Sequence, residues 1–253
     1  NDYSGSGANI VIPDSYTVGG IIYPVTSVGS ETFRNNTDIQ SVTLPDTITS
    51  IGESTFNSCS NLTTINLPEG LTEIGANAFD TCRNLTDIVL PDTLTTIGYQ
   101  AFWNCTSITG TLNIPASVIS IGNSALVLQG LTEFTVDADS QYFTADNGIL
   151  YSKDMTRLLA YPRAKQTTNF VMRSEVRTID SSAFRYCTGL SGTLTLSPNL
   201  TTIGSEAFYG CSGLTGILTI PASVTSLGSG SFTYCAFSAF YVDPDNTAYM
   251  SVN

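Results

Sequence analysis

The sequence predicts a β-rich solenoid in which copies of one short motif stack on one another. Phenylalanine recurs every 23 residues in the first part of the chain and every 24 in the second: Phe33, Phe56, Phe79 and Phe102, then Phe184, Phe208 and Phe232. An Ile-Gly-like pair precedes each of them, as Ile51-Gly52 precedes Phe56. A unit this short cannot bury its own apolar face, so the copies must pack against one another.

Each copy contains one predicted strand. In residues 62–67, LTTINL, Ile65 and Leu67 alternate with Thr64 and Asn66, and this period of two is typical of a half-buried strand. Proline cannot donate to a strand ladder, so it ends the strand in five copies: Pro45, Pro68, Pro91, Pro115 and Pro221. We expect these strands to form one parallel sheet, with about 4.8 Å between copies.

Glycine has two predicted roles in the motif. The glycine after each isoleucine, such as Gly52, is expected to form a tight corner. The 24-residue copies add a second glycine before the strand, at Gly110, Gly192 and Gly216. A small bulge or a wider turn there leaves the register of the core residues intact.

The elements I-x-L-P, I-G-x-x-A-F and F-x-x-C-x-x-L resemble the unit of the BspA-like, Treponema-type leucine-rich repeats of bacterial surface proteins. Residues 1–33 resemble the first repeat of that family. The resemblance implies a right-handed leucine-rich-repeat fold with a parallel sheet on one face and short strands, turns or 3-10 segments on the other. It also implies a bacterial cell-surface or secreted location and a role in adhesion.

The whole of 1–253 is predicted to form a single leucine-rich-repeat domain. Its parts are an N-terminal capping repeat at 1–27, a first repeat block at 28–136, an inserted β-hairpin at 137–168 and a second repeat block at 169–253. Two short apolar runs joined by Lys153-Asp-Met-Thr predict the hairpin. Segment 134–147 recurs at 240–253, where the chain stops and the first copy continues, so we expect the second block to be truncated.

The charge distribution argues against two classes of partner. The net charge is −12, and residues 1–152 hold 15 acidic and 2 basic residues, a net charge of −13. Such a surface repels nucleic acid and anionic membranes. No apolar run is long enough to insert into a membrane, and we expect the signal and the anchor of a surface protein to lie outside this sequence.

The six cysteines all occupy one position of the motif, three residues after an aromatic position: Cys59, Cys82, Cys105, Cys187, Cys211 and Cys235. Equivalent side chains on stacked copies run parallel, about 4.8 Å apart, which is farther than the Cβ separation a disulfide prefers. We therefore predict a buried ladder of free thiols that behave as small hydrophobic side chains. Zinc is not expected, because the chain has neither a Cys-x-x-Cys pair nor a histidine.

The sequence contains little evidence of a catalytic, metal-binding or cofactor-binding site. Without histidine, nucleophilic Ser-His and Cys-His pairs are excluded, and no phosphate-binding or nucleophile motif occurs. Asp46, Glu69 and Asp92 follow the prolines of three successive copies and are a weak candidate for Ca²⁺. The alternative is that these acids are exposed turn residues. We expect no enzyme and no cofactor.

Two groups of residues are candidates for binding a partner. Trp103, Tyr186, Tyr209 and Tyr234 follow the repeated phenylalanine, and exposed aromatic residues cluster at interfaces. Alternatively, these aromatic side chains pack against the next loop. The second group is a basic island of Lys153, Arg157, Arg163 and Lys165, which docks an acidic partner or pairs with this protein's own acidic flank.

Three functions remain open at this point. The first is a non-catalytic adhesion module that binds host matrix or cell-surface proteins. The second is a solenoid that binds or cleaves polysaccharide, which requires a groove with two carboxylates beside exposed aromatic residues. The third is a structural spacer that displays another domain. Fold alone does not decide among them.

Overall fold

The computed structural model describes residues 7–250. Residues 1–6 of the predicted capping repeat and 251–253 of the second repeat block lie outside the described part. The described residues form short strands and turns without α- or 3-10 helix, and they stack as a leucine-rich-repeat solenoid, which confirms the predicted fold class. The chain divides into two compact units: the first extends to Gly130 and includes Thr135–Tyr142, and the second comprises Leu131–Phe134 and the chain from Phe143 onward.

Eleven strands lie among the described residues of the first unit. They are β1 (Asn9–Val11), β2 (Ser15–Val18), β3 (Ile21–Pro24), β4 (Ser27–Val28), β5 (Ser41–Thr43), β6 (Ser50–Ile51), β7 (Thr64–Ile65), β8 (Glu73–Ile74), β9 (Thr96–Ile97), β10 (Thr109–Ile114) and β11 (Ser120–Ile121). Strands β2 and β3 form an antiparallel hairpin, whereas β1-β5-β7 and β4-β6-β8-β9-β11 are parallel sheets.

Strand β12 (Gly130–Val136) has residues in both units, and ten further strands belong to the second unit. They are β13 (Phe143–Asp146), β14 (Ile149–Ser152), β15 (Arg157–Ala160), β16 (Thr167–Val171), β17 (Thr178–Ile179), β18 (Leu190–Thr195), β19 (Thr202–Ile203), β20 (Ile217–Ile220), β21 (Ser226–Leu227) and β22 (Ala239–Val242). The sheets are β13-β14-β15-β17-β19-β21, β16-β18 and β20-β22.

The described residues of the first unit form two parallel sheets, and those of the second form the parallel pairs β16-β18 and β20-β22 beside a mixed sheet that is parallel from β15 onward. The single strand per copy predicted from the alternating pattern is therefore incomplete. The second strand is only two residues long and ends at the isoleucine of the Ile-Gly pair, as in β6, β8 and β9. The backbone hydrogen bonds between neighbouring copies continue one residue beyond the strand, since Gly75 N donates to Ile51 O at 2.8 Å. These are the short strands that the family resemblance implies on the other face.

The glycine of that pair does not have the predicted role. Gly75 lies outside the left-handed region, so no tight corner requires it. A Cβ at this position would lie 2.7 Å from Glu53 N and 2.7 Å from Gly52 C of the preceding copy. Glycine is therefore required because adjacent copies approach each other through their backbones.

The core of each unit consists of columns of equivalent side chains. In the first unit the rings of Phe33, Phe56, Phe79 and Phe102 stack with successive centroid distances of 5.3, 5.3 and 5.2 Å. In the second unit, the corresponding column begins at Tyr161, whose ring lies 5.0 Å from that of Phe184. Offset stacking of buried rings adds about 1 kcal/mol per pair to the burial of their apolar area.

The extra glycine lies beside a bulge, and an antiparallel pair of strands lies within residues 137–168. Gly192 has φ of 74°, and the pairing of β16 with β18 shifts by one residue beside it, which defines a bulge. Strands β14 and β15 pair antiparallel, and β15 then pairs parallel with β17. The sequence pattern missed β13, which extends the hairpin by an antiparallel third strand.

Candidate functional site

The cysteines form no disulfide, and five of the six are buried. Each thiol donates a hydrogen bond to the carbonyl of the aromatic residue in the preceding copy; Cys82 Sγ, for example, lies 3.1 Å from Phe56 O. Burial raises the pKa of the Cys59 thiol to about 11. The five buried thiols therefore stay protonated at neutral pH and bond the copies together, and they are not placed as nucleophiles.

Among residues 7–250, no group of three or more acidic or cysteine side chains comes together to hold a metal ion. Asp46, Glu69 and Asp92 are exposed turn residues in this structure. The column of acids thus lacks the converging oxygen ligands that Ca²⁺ requires.

The four basic residues do not form one island. Lys153 lies in the turn before β15, and Arg163 and Lys165 follow that strand, so the strand separates them. Arg157 Nε donates to Asp180 Oδ1 at 2.5 Å, and Asp180 is buried. Arg157 is therefore paired within the protein, as the alternative interpretation of the island expected. Proximity in sequence misled here because a strand carries neighbouring residues to opposite ends.

Replacing Arg157 by glutamine is expected to lower the free energy of unfolding by about 2 kcal/mol, since the buried Asp180 carboxylate loses its cation. Burial already raises the pKa of Asp180, and Arg157 opposes that rise. Urea denaturation measures the effect. Arg34→Gln is the matched control, because the Arg34–Glu31 pair is exposed on both sides and is worth at most about 1 kcal/mol. Equal losses in both variants would contradict a structural role for Arg157.

Three of the four predicted aromatic residues come together on the second unit. The rings of Tyr186 and Tyr209 lie 5.4 Å apart at 87°, and those of Tyr209 and Tyr234 lie 5.1 Å apart at 89°. Tyr234 is 70% exposed, and Tyr186 is 39% exposed. We call these three residues the tyrosine ladder. Trp103 is half-buried in the first unit and is not part of it.

The backbone of Tyr186 and Tyr234 follows the pattern of the motif. Tyr186 and Tyr234 have φ of 55° and 59°, in the left-handed region that bulky side chains rarely adopt. The same position is left-handed in other copies too, at Asn35, Ser58, Thr81, Asn104 and Gly210. The left-handed conformation is therefore a property of this position of the motif, and it does not by itself mark the two tyrosines as functional.

Two arginines flank the ladder. The Cζ of Arg185 lies 4.6 Å from the ring centroid of Tyr186 and 4.8 Å from that of Tyr209, and its Nε donates to Glu206 at 2.8 Å. Arg163 Cζ lies 5.3 Å from the Tyr186 centroid. Guanidinium groups over aromatic rings gain about 1 kcal/mol or more when partly desolvated.

Arg185 and Gly210 were not predicted as members of this surface. Gly210 occupies the position equivalent to Tyr186 in the next copy, and a Cβ there would collide with the Tyr186 ring. The signal in the sequence was the loss of a side chain at that position beside the aromatic Tyr209. Glycine at this position makes room for the ring of Tyr186. The neighbouring residue, Tyr209, contacts that ring edge-on.

Two clefts in the second unit lack the pair of carboxylates that a polysaccharide-cleaving site requires. One, of about 320 Å³, is lined by Asp146, Lys165 and Arg173 among others, and the second, of about 530 Å³, is lined by Asp243 and Tyr249. Each contains a single carboxylate. Hydrolysis of a glycoside by the usual mechanism needs two.

The comparison with protein families identifies the repeat. Residues 25–147 and 160–251 match the model of the BspA type leucine rich repeat region, with six copies. No curated protein matches the chain. Residues 7–250 contain no helix with the length and hydropathy needed to cross a bilayer.

Solved structures of bacterial leucine-rich repeat proteins are similar to this one. A protein from Eubacterium ventriosum is 29% identical with a TM-score of 0.75, over 95% of this chain and 66% of that chain, slightly less than two thirds. A protein from T. pallidum is 27% identical with a TM-score of 0.54, over 84% and 80% of the two chains. The pneumococcal vaccine antigen PcpA, 24% identical with a TM-score of 0.67 over 90% and 70%, shares the fold.

Proposed function

Because the chain belongs to the family of BspA-type leucine-rich repeat proteins, we propose that it is a non-catalytic protein-binding module of a bacterial cell-surface or secreted protein. Its role is adhesion, through contacts with host matrix or cell-surface proteins. The described residues supply a rigid stack of copies, which holds surface side chains at a regular spacing without a reaction centre.

The tyrosine ladder is the observation that carries this proposal. Tyr186, Tyr209 and Tyr234 fix one another by edge-to-face contacts, so little side-chain entropy is lost when a partner covers them. Tyrosine and arginine are the residues most enriched among those that dominate binding energy at protein interfaces.

The geometry favours a protein partner over a polysaccharide. Sugar rings stack on open, flat aromatic faces, whereas neighbouring rings of the ladder stand perpendicular to each other. Arg185 also lies over the rings of Tyr186 and Tyr209. The single carboxylate in each of the two clefts gives no support for cleavage. A spacer function alone does not explain the exposed tyrosines.

We expect the purified protein to bind members of an array of immobilised extracellular matrix and cell-surface proteins, and Tyr234→Ser to weaken that binding roughly 30-fold, or about 2 kcal/mol. Tyr234 is the most exposed ladder residue, so its removal disturbs the core least. Tyr99→Ser is the matched control, because Tyr99 is a 51% exposed tyrosine outside the ladder. A glycan array is probed in parallel. Binding to glycans alone, or equal binding by Tyr234→Ser and the parent, would show that the ladder is not a protein-binding surface.

A further inference from the structure

Arg163 is enclosed without a counter-ion in the part of the chain that the structure describes. The residue is only 9% exposed, and its Nε has no hydrogen-bond partner among residues 7–250. Its described neighbours include the ring of Tyr186 and the charged Arg185, which repels it. Buried cations in proteins are normally paired with a carboxylate, because desolvation of an isolated charge is costly. The guanidinium keeps its proton under all ordinary conditions, so the charge must be balanced from elsewhere.

Arg185 does not have this deficit. Its Nε lies 2.8 Å from a carboxylate oxygen of Glu206, which neutralises its charge. The cluster of Arg163, Arg185 and Glu206 therefore has a net charge of one, contributed by Arg163. Both guanidinium groups lie within 5.3 Å of the Tyr186 ring centroid, at one end of the tyrosine ladder. The ladder therefore combines exposed aromatic surface with one uncompensated positive charge. That is unusual for a chain whose net charge is −12.

We propose that Arg163 is the anchor for a carboxylate of an acidic partner protein, an aspartate or glutamate side chain that reaches the guanidinium beside Tyr186. This inference rests on the binding role proposed for the tyrosine ladder and names the chemistry of its partner. The planar guanidinium can bind both oxygens of a carboxylate, which adds direction as well as energy. The neighbouring tyrosines exclude water from the pair and so strengthen it.

The charge distribution favours a single carboxylate of a protein, rather than an acidic polysaccharide, as the ligand of Arg163. One unbalanced cation suits one anion. A chain of uronates or sulfates would extend beyond Arg163 over a molecule that is strongly acidic overall, where repulsion opposes it. An acidic side chain flanked by aromatic or neutral residues has no such penalty and also covers the rings.

Two short peptides that differ by one group provide the test: acetyl-Tyr-Glu-Tyr-amide and acetyl-Tyr-Gln-Tyr-amide. They are titrated into the ¹⁵N-labelled protein, and the arginine Nε–H resonances are followed by NMR. We expect the Arg163 resonance to shift with the glutamate peptide, which binds about tenfold more tightly than the glutamine peptide. Arg163→Gln abolishes that tenfold preference. The matched control, Lys153→Gln, retains it, because Lys153 is an exposed cation in the hairpin turn.

Three results would overturn the proposal: equal affinity for the two peptides, a tenfold preference that persists in Arg163→Gln, or tighter binding of tetragalacturonate at the same resonance. If Arg163→Gln does not fold, Arg163→Lys retains the charge without the planar group, and an unchanged preference there would also count against the site. Tyr234→Ser separates the two proposals. Should this variant lose binding on the protein array while Arg163→Gln keeps its peptide preference, the interaction surface stands and the carboxylate anchor fails.

Discussion

Raising the pH from 8 to 10 is expected to remove most of the stability of this protein, because its buried thiols can ionise only after unfolding. The fully enclosed thiols are Cys59, Cys82, Cys105, Cys187 and Cys211. Burial raises the pKa of Cys59 from 9.0 to about 11 and raises those of Cys82, Cys105 and Cys187 as well. The side-chain hydrogen bond with Cys235, together with burial, raises the pKa of Cys211, and the same bond lowers the pKa of Cys235, so the shifts of this pair oppose each other.

The direction of the effect follows from the proton balance. Below pH 9 the thiols are protonated in both the folded and the unfolded states, so their contribution to stability is complete. Above pH 9 the unfolded state releases protons that the folded state retains, and each thiol costs about 1.4 kcal/mol per pH unit until its folded pKa is reached. For Cys59, Cys82, Cys105 and Cys187 together the loss is roughly 5 kcal/mol by pH 10, which is comparable with the whole stability of a marginally stable domain. Burial of Tyr151 and Tyr161, which raises the pKa of each to about 12, extends the loss to higher pH.

Urea denaturation followed by circular dichroism between pH 7.5 and 10.5, in the presence of reductant, measures this dependence. Cys105→Ala is the informative variant, since it removes one buried thiol and should reduce the slope above pH 9 by about one quarter while lowering stability at pH 8. A midpoint that stays constant from pH 8 to 10, or absorbance of more than one thiolate per chain in the folded protein near pH 9, would be incompatible with enclosed thiols, because Cys235 alone among the thiols has a lowered pKa.

The columns of the core could be predicted from the sequence because the motif repeats them. Phe56 and Phe79 stack as their spacing of 23 residues requires, and Cys82 bonds to the carbonyl of Phe56 in the same arrangement as other copies. The alternating pattern did not reveal the second sheet, since a two-residue strand such as β8 has no period to detect; only the family resemblance implied it. These strands form a sheet because the same short segment of each copy pairs with its equivalent in the next copy, as β8 pairs with β6 and β9.

The candidate site was predictable only in part. The tyrosines were visible as aromatic residues beside a core position, but the surroundings of Arg163 were not. The inserted hairpin interrupts the motif, so the equivalence of Tyr161 to the repeated phenylalanine was hidden, although Tyr161 precedes Phe184 by 23 residues. With Tyr161 in the core column, Arg163 falls into the column of Tyr186 and becomes enclosed. Charge counting alone had placed it on the surface.

The contact between successive backbones makes a second strong prediction. Gly75→Ala is expected to cost about 3 kcal/mol of unfolding free energy, because the added Cβ would lie 2.7 Å from Glu53 N and 2.9 Å from Gly52 O. These are backbone atoms held by the adjacent copy, so no side-chain rotation can relieve the collision. The two copies must separate, which weakens the hydrogen bond from Gly75 N to Ile51 O and loosens the ring stack beneath.

Gly29→Ala is the matched control, because Gly29 occupies the same position in the first copy of this stack. A Cβ there would meet only Thr32 Oγ1 among the described residues, at an ordinary contact distance of 3.4 Å, and its φ is not in the left-handed region. We expect a change within about 0.5 kcal/mol, or a slight gain from the smaller entropy of the unfolded chain. Urea denaturation of both variants distinguishes the two roles of glycine. If both substitutions cost the same amount, the position needs glycine for its backbone conformation, as the sequence first indicated; if only Gly75→Ala is costly, the close approach of neighbouring copies is what excludes a side chain.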